Sequence, residues 1–252
     1  MFEIFAQMEG SAGNPAEVVI PPEIADGVCL RKGQQVAFIR HRARAILSCE
    51  RTILNLLQRM SGIASITRRY VDAIAGTRSR ILDTRKTVPG LRLLDKYAVH
   101  CGGGQNHRMD LEDGILVKNN HIDLAGGVRT ALQRALRNRQ GGQTIEVEVR
   151  SLEELEAALQ YGAEAILLDN MSPEQVRRAV ERVAAYTPEG ASTVPPSGIG
   201  GAGRGRVPLE ASGGITLENV RAYAEAGVDY ISIGALTHSP RAVDLSMRIS
   251  PA

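Results

Sequence analysis

Apolar positions recur along this chain with two periods. From Arg42 to about Ala75, the residues Ile46, Ile53, Leu54, Leu57, Met60, Ile63 and Ala64 return at three- and four-residue intervals, the spacing of one buried helical face. Ser61-Gly62 predicts a break there between two helices. Beyond this segment the apolar residues gather in short β-prone runs bounded by polar ones: Ile81-Leu82, Ile115-Leu116-Val117, Thr144 to Val149, Ala165 to Leu168, Val207 to Leu209 and Tyr230 to Ile233. Helical stretches separate the later runs. Val128 to Leu136 is one, Ser151 with Glu154 forms a capping box for the next, and Ser172-Pro173-Glu174-Gln175 starts a third. Thr216 is expected to cap a fourth that stops at Gly227. Strand and helix in alternation call for parallel strands joined by right-handed crossovers. Six runs are counted, and another strand is expected within Val99 to His107. The fold expected is α/β, a (β/α) barrel with fewer than eight regular units rather than an open Rossmann sheet.

Residues 1–41 read as a fragmentary first module. Phe2, Ile4 and Phe5 look like the end of an amphipathic helix, Ser11 to Pro15 like a turn, and Val18-Val19-Ile20 is apolar before Pro21-Pro22. A glycine turn at Gly27 to Gly33 leads into a strand at Val36 to Ile39. This is thin material for an independent core, which needs three or more strands or a covering helix. Thr187 to Arg206, rich in Gly, Pro and Ser, is expected to be a mobile loop.

Composition narrows the function. A chain of 252 residues with 43% apolar content buries a full core, and its net charge of +2 predicts no general attraction to nucleic acid or anionic membrane. With no Trp and 4% aromatics, a base-stacking surface is not expected. Cys29, Cys49 and Cys101 are odd in number and widely spaced, which argues against a disulfide framework or a zinc knuckle. No apolar run approaches the ~18 residues that span a bilayer. The expectation is a soluble, cytoplasmic protein.

The chemistry concentrates between Asp83 and His121. Arg85, Lys86, His107, Arg108 and Lys118 each lie at or beside the end of an apolar run, and Gly102-Gly103-Gly104 among them lets backbone approach a ligand. Taken singly, each is an ordinary solvated loop charge. Grouped at the carboxyl edge of a parallel sheet, where α/β folds bind ligands, they suit a polyanion. Ser212-Gly213-Gly214 and Gly234-Ala235 follow consecutive strands, an arrangement that holds phosphate in (β/α) barrels. Glu146 and Glu148 share one face of their strand and Asp169 ends the next. Such acids either pair with arginine or hold a ribose diol, Mg²⁺ or a developing cation. The pocket so described suits a polyanionic acid reacting with a phosphorylated sugar.

A family pattern covers about residues 26 to 249 in order. It is carried by Glu50 to Asn55, Ser61 to Ala64, Asp83 to Arg92, Lys96 to Val99, Gly102 to Arg108, Leu116 to His121, Glu146 to Val149, Leu167 to Asn170, Ser212 to Gly214 and Gly234 to Ser239. In these motifs the chain resembles quinolinate phosphoribosyltransferase, the decarboxylating nicotinate-nucleotide pyrophosphorylase of NAD biosynthesis. The resemblance implies that quinolinate and phosphoribosyl pyrophosphate become nicotinate mononucleotide, pyrophosphate and CO₂, with Mg²⁺ as cofactor. It places Arg85, His107 and Arg108 on the quinolinate carboxylates, and Lys86 and Lys118 on carboxylate and pyrophosphate charge. Glu148 and Asp169 would hold the ribose hydroxyls and metal, while Ser212, Gly213, Gly214, Gly234 and Ala235 would cradle the 5′-phosphate. Arg51 would enter a neighbouring subunit's site, so a homodimer at least is implied. Residues 1–75 would be a partial amino-terminal α/β sandwich with connecting helices, shorter than the family's, and residues 76–252 the phosphoribosyl-binding barrel, with 187–206 as an insertion. Two other readings stand beside this one: a related phosphoribosyltransferase acting on another acid, of the type associated with molybdate transport, and a non-catalytic phosphate-binding barrel.

Overall fold

The computed structural model describes residues 16–186 and 206–251. The expected features at Phe2 to Phe5 and Ser11 to Pro15, and all but the last residue of the Thr187 to Arg206 segment, lie outside them.

The amino-terminal part is a two-stranded antiparallel ribbon, β1 (Glu17–Val19) with β2 (Phe38–Arg40), in which Val18 faces Ile39. β2 therefore begins two residues later than Val36, where the strand was expected. Ala16, Val18 and Ile39 pack on Cys49, Ile53 and Leu57 of the following helix α1 (Ala43–Ala73), which supplies the cover a lone hairpin lacks. α1 runs unbroken for 31 residues, so the expected break at Ser61-Gly62 is not there. Gly62 serves contact rather than interruption. A β-carbon on it would fall 2.2 Å from the Arg241 carbonyl oxygen, and beside it Val243 donates its N–H to the Gln58 carbonyl at 3.0 Å.

Six strands build the main sheet: β3 (Arg80–Leu82), β4 (Gly114–Val117), β5 (Thr144–Val149), β6 (Ala165–Asp169), β7 (Leu209–Ser212) and β8 (Tyr230–Ser232). They pair in the order β3-β8-β7-β6-β5-β4, all parallel. This is chain order wrapped into a ring, the expected barrel of fewer than eight units, with one seam between β3 and β4 that no described hydrogen-bonded ladder closes. Helices α2 (Arg92–Cys101), α3 (Asn119–Ala125), α4 (Val128–Asn138), α5 (Leu152–Gln160), α6 (Pro173–Ala185), α7 (Val220–Ala226) and α8 (Ala235–His238) connect or follow the strands.

The strand expected within Val99 to His107 is reduced to one residue in the seam. Gln105 bridges Leu82 in parallel, donating to Ile81 O at 2.8 Å and accepting from Asp83 N at 3.2 Å. Val99 to Cys101 instead complete α2. The glycines after them let the chain pass close to α1, since a β-carbon on Gly102 would stand 2.5 Å from Ala64 O.

Alternation along the strands sorts the side chains. Ile145, Val147, Val149, Ile166, Leu168, Leu209, Ala211 and Ile231 join the helices in one apolar cluster, whereas Leu82 and Tyr230 form a separate small contact. The intervening positions, among them Glu146, Glu148, Asp169, Glu210 and Ser232, occupy the other face. The helix layer is thus apolar and the barrel interior unusually polar.

Local signals act nearly as the residues suggest. Ser172 makes a full capping box with Gln175. At α5 only half of the expected box forms: Ser151 Oγ accepts from Glu154 N, but the Glu154 carboxylate takes the Arg150 N–H at 2.7 Å. α7 begins at Val220, not at Thr216, because Asn219 Oδ1 accepts the Thr216 N–H at 2.8 Å and holds an extra turn ahead of it. It ends as expected at Gly227, with φ of 95°. No described helix is long and apolar enough to cross a membrane.

Candidate active site

The site starts from the residue just past β3. Asp83 is fully buried, paired with the buried Lys96 Nζ, and it accepts the His107 N–H at 2.9 Å and Asn106 Nδ2 at 2.5 Å. Lys96 Nζ also donates to His107 O at 2.7 Å. Burial pushes Asp83 up and Lys96 down from their ordinary ranges, and each opposes the other's shift. Their pairing fastens the Gln105 to His107 segment across the seam and so fixes where Arg108 begins. The partner of Lys96 is 13 residues away in sequence, and no local pattern reveals the pair.

Arg108 is buried, and its Nη1 donates to the Gly114 carbonyl at 2.7 Å. Burial and the nearby Arg85 both lower its pKa, while Glu146 and Asp113 oppose them. Arg85, Arg108 and Lys118 line one cavity of about 290 Å³ with Leu111, Gly114, Ile115, Leu116 and His121. A buried guanidinium whose charge is disfavoured by a second one at the same cavity makes a site suited to an anion. His121, which sequence reasoning did not assign a role, accepts the Lys118 N–H on Nδ1 at 2.9 Å and completes this wall.

His107 is placed differently from its neighbours. Its Nε2 faces Glu146 Oε2 at 3.4 Å and Glu210 Oε2 at 3.5 Å inside the barrel, while Nδ1 accepts the Arg108 N–H at 2.7 Å. Both ring nitrogens are therefore engaged away from the cavity. Burial disfavours the imidazolium, yet Glu210 and Glu146 together raise the ring's pKa to about 9. The Arg108 amide works against a proton on Nδ1, because an Nδ1–H would meet its N–H head on, so Nε2 is the nitrogen that keeps its proton. Glu210 is pushed up to about 8 by burial and then by Glu146, with His107 opposing. Glu210, which sequence reasoning did not single out, leaves both carboxyl oxygens without a hydrogen-bond partner among the described residues.

Lys86 turns to the other side of the barrel mouth. A β-carbon on Gly234 would sit 3.1 Å from Lys86 Cδ, so the lysine lies along that glycine. Ser212 and Ser232 are register partners on adjacent strands, and the loops that follow them, Gly213-Gly214 and Gly234-Ala235, adjoin at the same edge. Gly213 (φ 95°) and Gly214 (φ 61°) hold left-handed conformations, and a side chain on Gly213 would strike the Asn170 side chain at 2.2 Å.

Between the two halves stand Glu148 and Asp169. Asn119 Nδ2 donates to Asp169 Oδ2 at 3.3 Å and its backbone N–H reaches Glu148 Oε1 at 3.5 Å. Burial and then Asp169 raise the Glu148 pKa, against Asn119 and Lys118. These carboxylates, with the buried and unpartnered Asn119 Oδ1, form an all-oxygen donor set that fits a hard cation such as Mg²⁺. A second grouping, His107, Glu146 and Glu210, has ligand atoms within 4.8 Å of one another. It fits a metal poorly, since the tautomer that accepts the Arg108 N–H leaves Nε2 without a lone pair. Arg51 lies exposed on α1 and lines no part of this chain's cavity.

Comparison with known proteins bears on these features. The family model described as quinolinate phosphoribosyl transferase, C-terminal domain, matches residues 63–248, and that of the N-terminal domain matches residues 3–61. The nicotinate-nucleotide pyrophosphorylase [carboxylating] of Mycobacterium leprae is 46% identical over 89% of this chain and 72% of its own length. The probable enzyme of that name from Bacillus subtilis is 44% identical over 89% of this chain and 71% of its own. The crystal structure of NadC from Streptococcus pyogenes superposes with a TM-score of 0.83 at 38% identity, covering 98% of this chain and 78% of that one.

Proposed function

Because the chain belongs to the quinolinate phosphoribosyltransferase family, we propose that its barrel mouth joins quinolinate to phosphoribosyl pyrophosphate, yielding nicotinate mononucleotide, pyrophosphate and CO₂. The observation that carries this is the convergence of Arg85, Arg108 and Lys118 on one cavity, beside an acidic pair and two adjoining glycine loops. Planar guanidinium forks suit the two carboxylates of a pyridine diacid, and the lysine adds a point charge. Lys86, Ser212, Gly213, Gly214, Gly234 and Ala235 suit the sugar's phosphate end. Glu148 and Asp169 suit the ribose hydroxyls and favour positive character at the anomeric carbon as pyrophosphate departs. Glu148 and Asp169 would also hold Mg²⁺, which would supply charge neutralisation for the departing pyrophosphate.

The pyridine nitrogen attacks the anomeric carbon, the bond to pyrophosphate breaks, and the ring nitrogen becomes cationic. The adjacent carboxylate then leaves as CO₂, and the electron pair left on the ring carbon is stabilised by that nitrogen until a proton replaces it. The protein's part is positioning and electrostatics, with no covalent enzyme intermediate. A homodimer in which the exposed Arg51 serves the neighbouring site belongs to the same proposal. The test supplies phosphoribosyl pyrophosphate with quinolinate or with nicotinate and follows mononucleotide and CO₂. Both products from quinolinate alone are expected; mononucleotide from nicotinate without CO₂ overturns the assignment.

A further inference from the structure

Thr237 is completely buried, and its hydroxyl lies between the carbonyls of two different loops, one of them continuing directly from Arg85. Thr237 Oγ1 donates to Lys86 O at 2.8 Å and stands 3.4 Å from Gly234 O. Lys86 follows Arg85 of the anion cavity, whereas Gly234 opens the loop assigned to the sugar phosphate. Behind the hydroxyl sits a second knot. Arg59, reaching across from α1, donates Nε and Nη2 to the two Asp95 carboxylate oxygens at 2.8 Å each, and Nη2 also donates to Thr237 O at 2.7 Å. The same Asp95 accepts the Val88 N–H at 3.2 Å. Both ends of the Lys86 to Val88 turn are thereby bound to one hub that also fixes the Gly234 loop.

A fork of two parallel charge-assisted bonds is the stiffest polar contact a side chain makes, and Asp95 is fully buried with its oxygens shared between Arg59 and Val88. Movement of either loop must therefore disturb the other, and ordering of one prepares the other. We propose that Thr237, backed by Arg59 and Asp95, is a positioning residue that couples the two half-sites, so that occupancy of the phosphate cradle tightens binding of the diacid. This rests on the function proposed above. It adds to that function a thermodynamic link between ligands which the cavity alone does not require. Thr237 is not itself assigned to either ligand; it acts through the main-chain carbonyls of Lys86 and Gly234.

Calorimetric titration of the full chain with quinolinate, with and without saturating ribose 5-phosphate, reads the coupling without turnover, because that sugar phosphate has no leaving group. In the unsubstituted protein the quinolinate Kd is expected to tighten about fivefold, and by reciprocity quinolinate tightens ribose 5-phosphate by the same factor. Thr237→Val, which keeps the shape and removes the hydroxyl, brings the ratio to about one while the Kd for quinolinate alone stays within about twofold. Thr237→Ser restores the ratio. Arg59→Lys, which keeps the charge but not the fork, lowers it and decides the matter if the valine variant does not fold. A ratio of one in the unsubstituted protein, or an unchanged ratio in the variants, overturns the coupling. Lack of CO₂ from quinolinate and phosphoribosyl pyrophosphate overturns the functional reading instead, a separate result from a separate assay.

Discussion

His107 Nδ1 accepts the backbone N–H of Arg108 at 2.7 Å, so the imidazole acts as a bracket for its neighbour's main chain. Asn can reproduce an acceptor at the Nδ1 position, whereas Gln reproduces the Nε2 position. His107→Asn is expected to keep kcat/KM for quinolinate within about tenfold of the unsubstituted value, and His107→Gln to lose about a hundredfold. Steady-state kinetics on both variants check the order; the reverse order would mean that Nε2 is the atom that matters.

Arg85→Lys keeps the charge in the cavity but loses the planar fork. The loss of one charge-assisted bond, worth roughly 1.5–3 kcal/mol, lowers kcat/KM for quinolinate by about 10- to 150-fold. The KM for phosphoribosyl pyrophosphate should move far less, and an equal change in both would contradict the division of the mouth into two halves.

Glu210 gives the fold a pH dependence with a definite sign. Its carboxyl titrates near 4.5 when unfolded and at about 8 in the barrel, so the native state holds a proton that the unfolded chain has released. The contribution of this group is complete below the lower value and declines as pH rises through the upper one. Urea midpoints should therefore fall from pH 6 to pH 8.5, and the fall should flatten in Glu210→Gln. Identical slopes in the two proteins would show that the carboxyl is not the source.

Arg51 is exposed in the single chain yet belongs to the site in the proposed dimer. Mixing inactive Arg51→Ala with inactive Arg108→Ala should restore activity, because hybrid dimers contain one mouth with neither substitution. Mixtures as inactive as their components, despite dimers by light scattering, would place Arg51 outside the catalytic mouth.

How far the residues foretold the structure depended on sequence distance. β5, the Ser172 capping box and the Gly227 stop were readable because their causes lie within a few positions of one another. The break expected at Gly62 failed for the opposite reason: the glycine answers to Arg241, and tertiary contact overrode local preference. The extra strand shrank to Gln105 because Gly102 to Gly104 are committed to packing against α1 and α2. In the mouth, Arg85, Arg108 and Lys118 were legible as strand-end charges. The inward turn of His107 was not, since it depends on Glu146 and Glu210, which reach it from other strands. Arg59 and Asp95, 36 residues apart, show nothing locally that marks them as a pair.

The bare backbone at Gly62 has a temporal meaning as well. Gln58 Nε2 binds Leu245 O at 2.7 Å across 187 residues, beside the spot where Arg241 occupies the space of an absent β-carbon. A nascent polypeptide emerging amino end first makes α1 before the residues that seat it, Arg241 to Leu245, exist. Closure of so distant a contact is slow, and the stretch from Arg241 to Leu245 becomes the clasp that locks the long helix made far ahead of it.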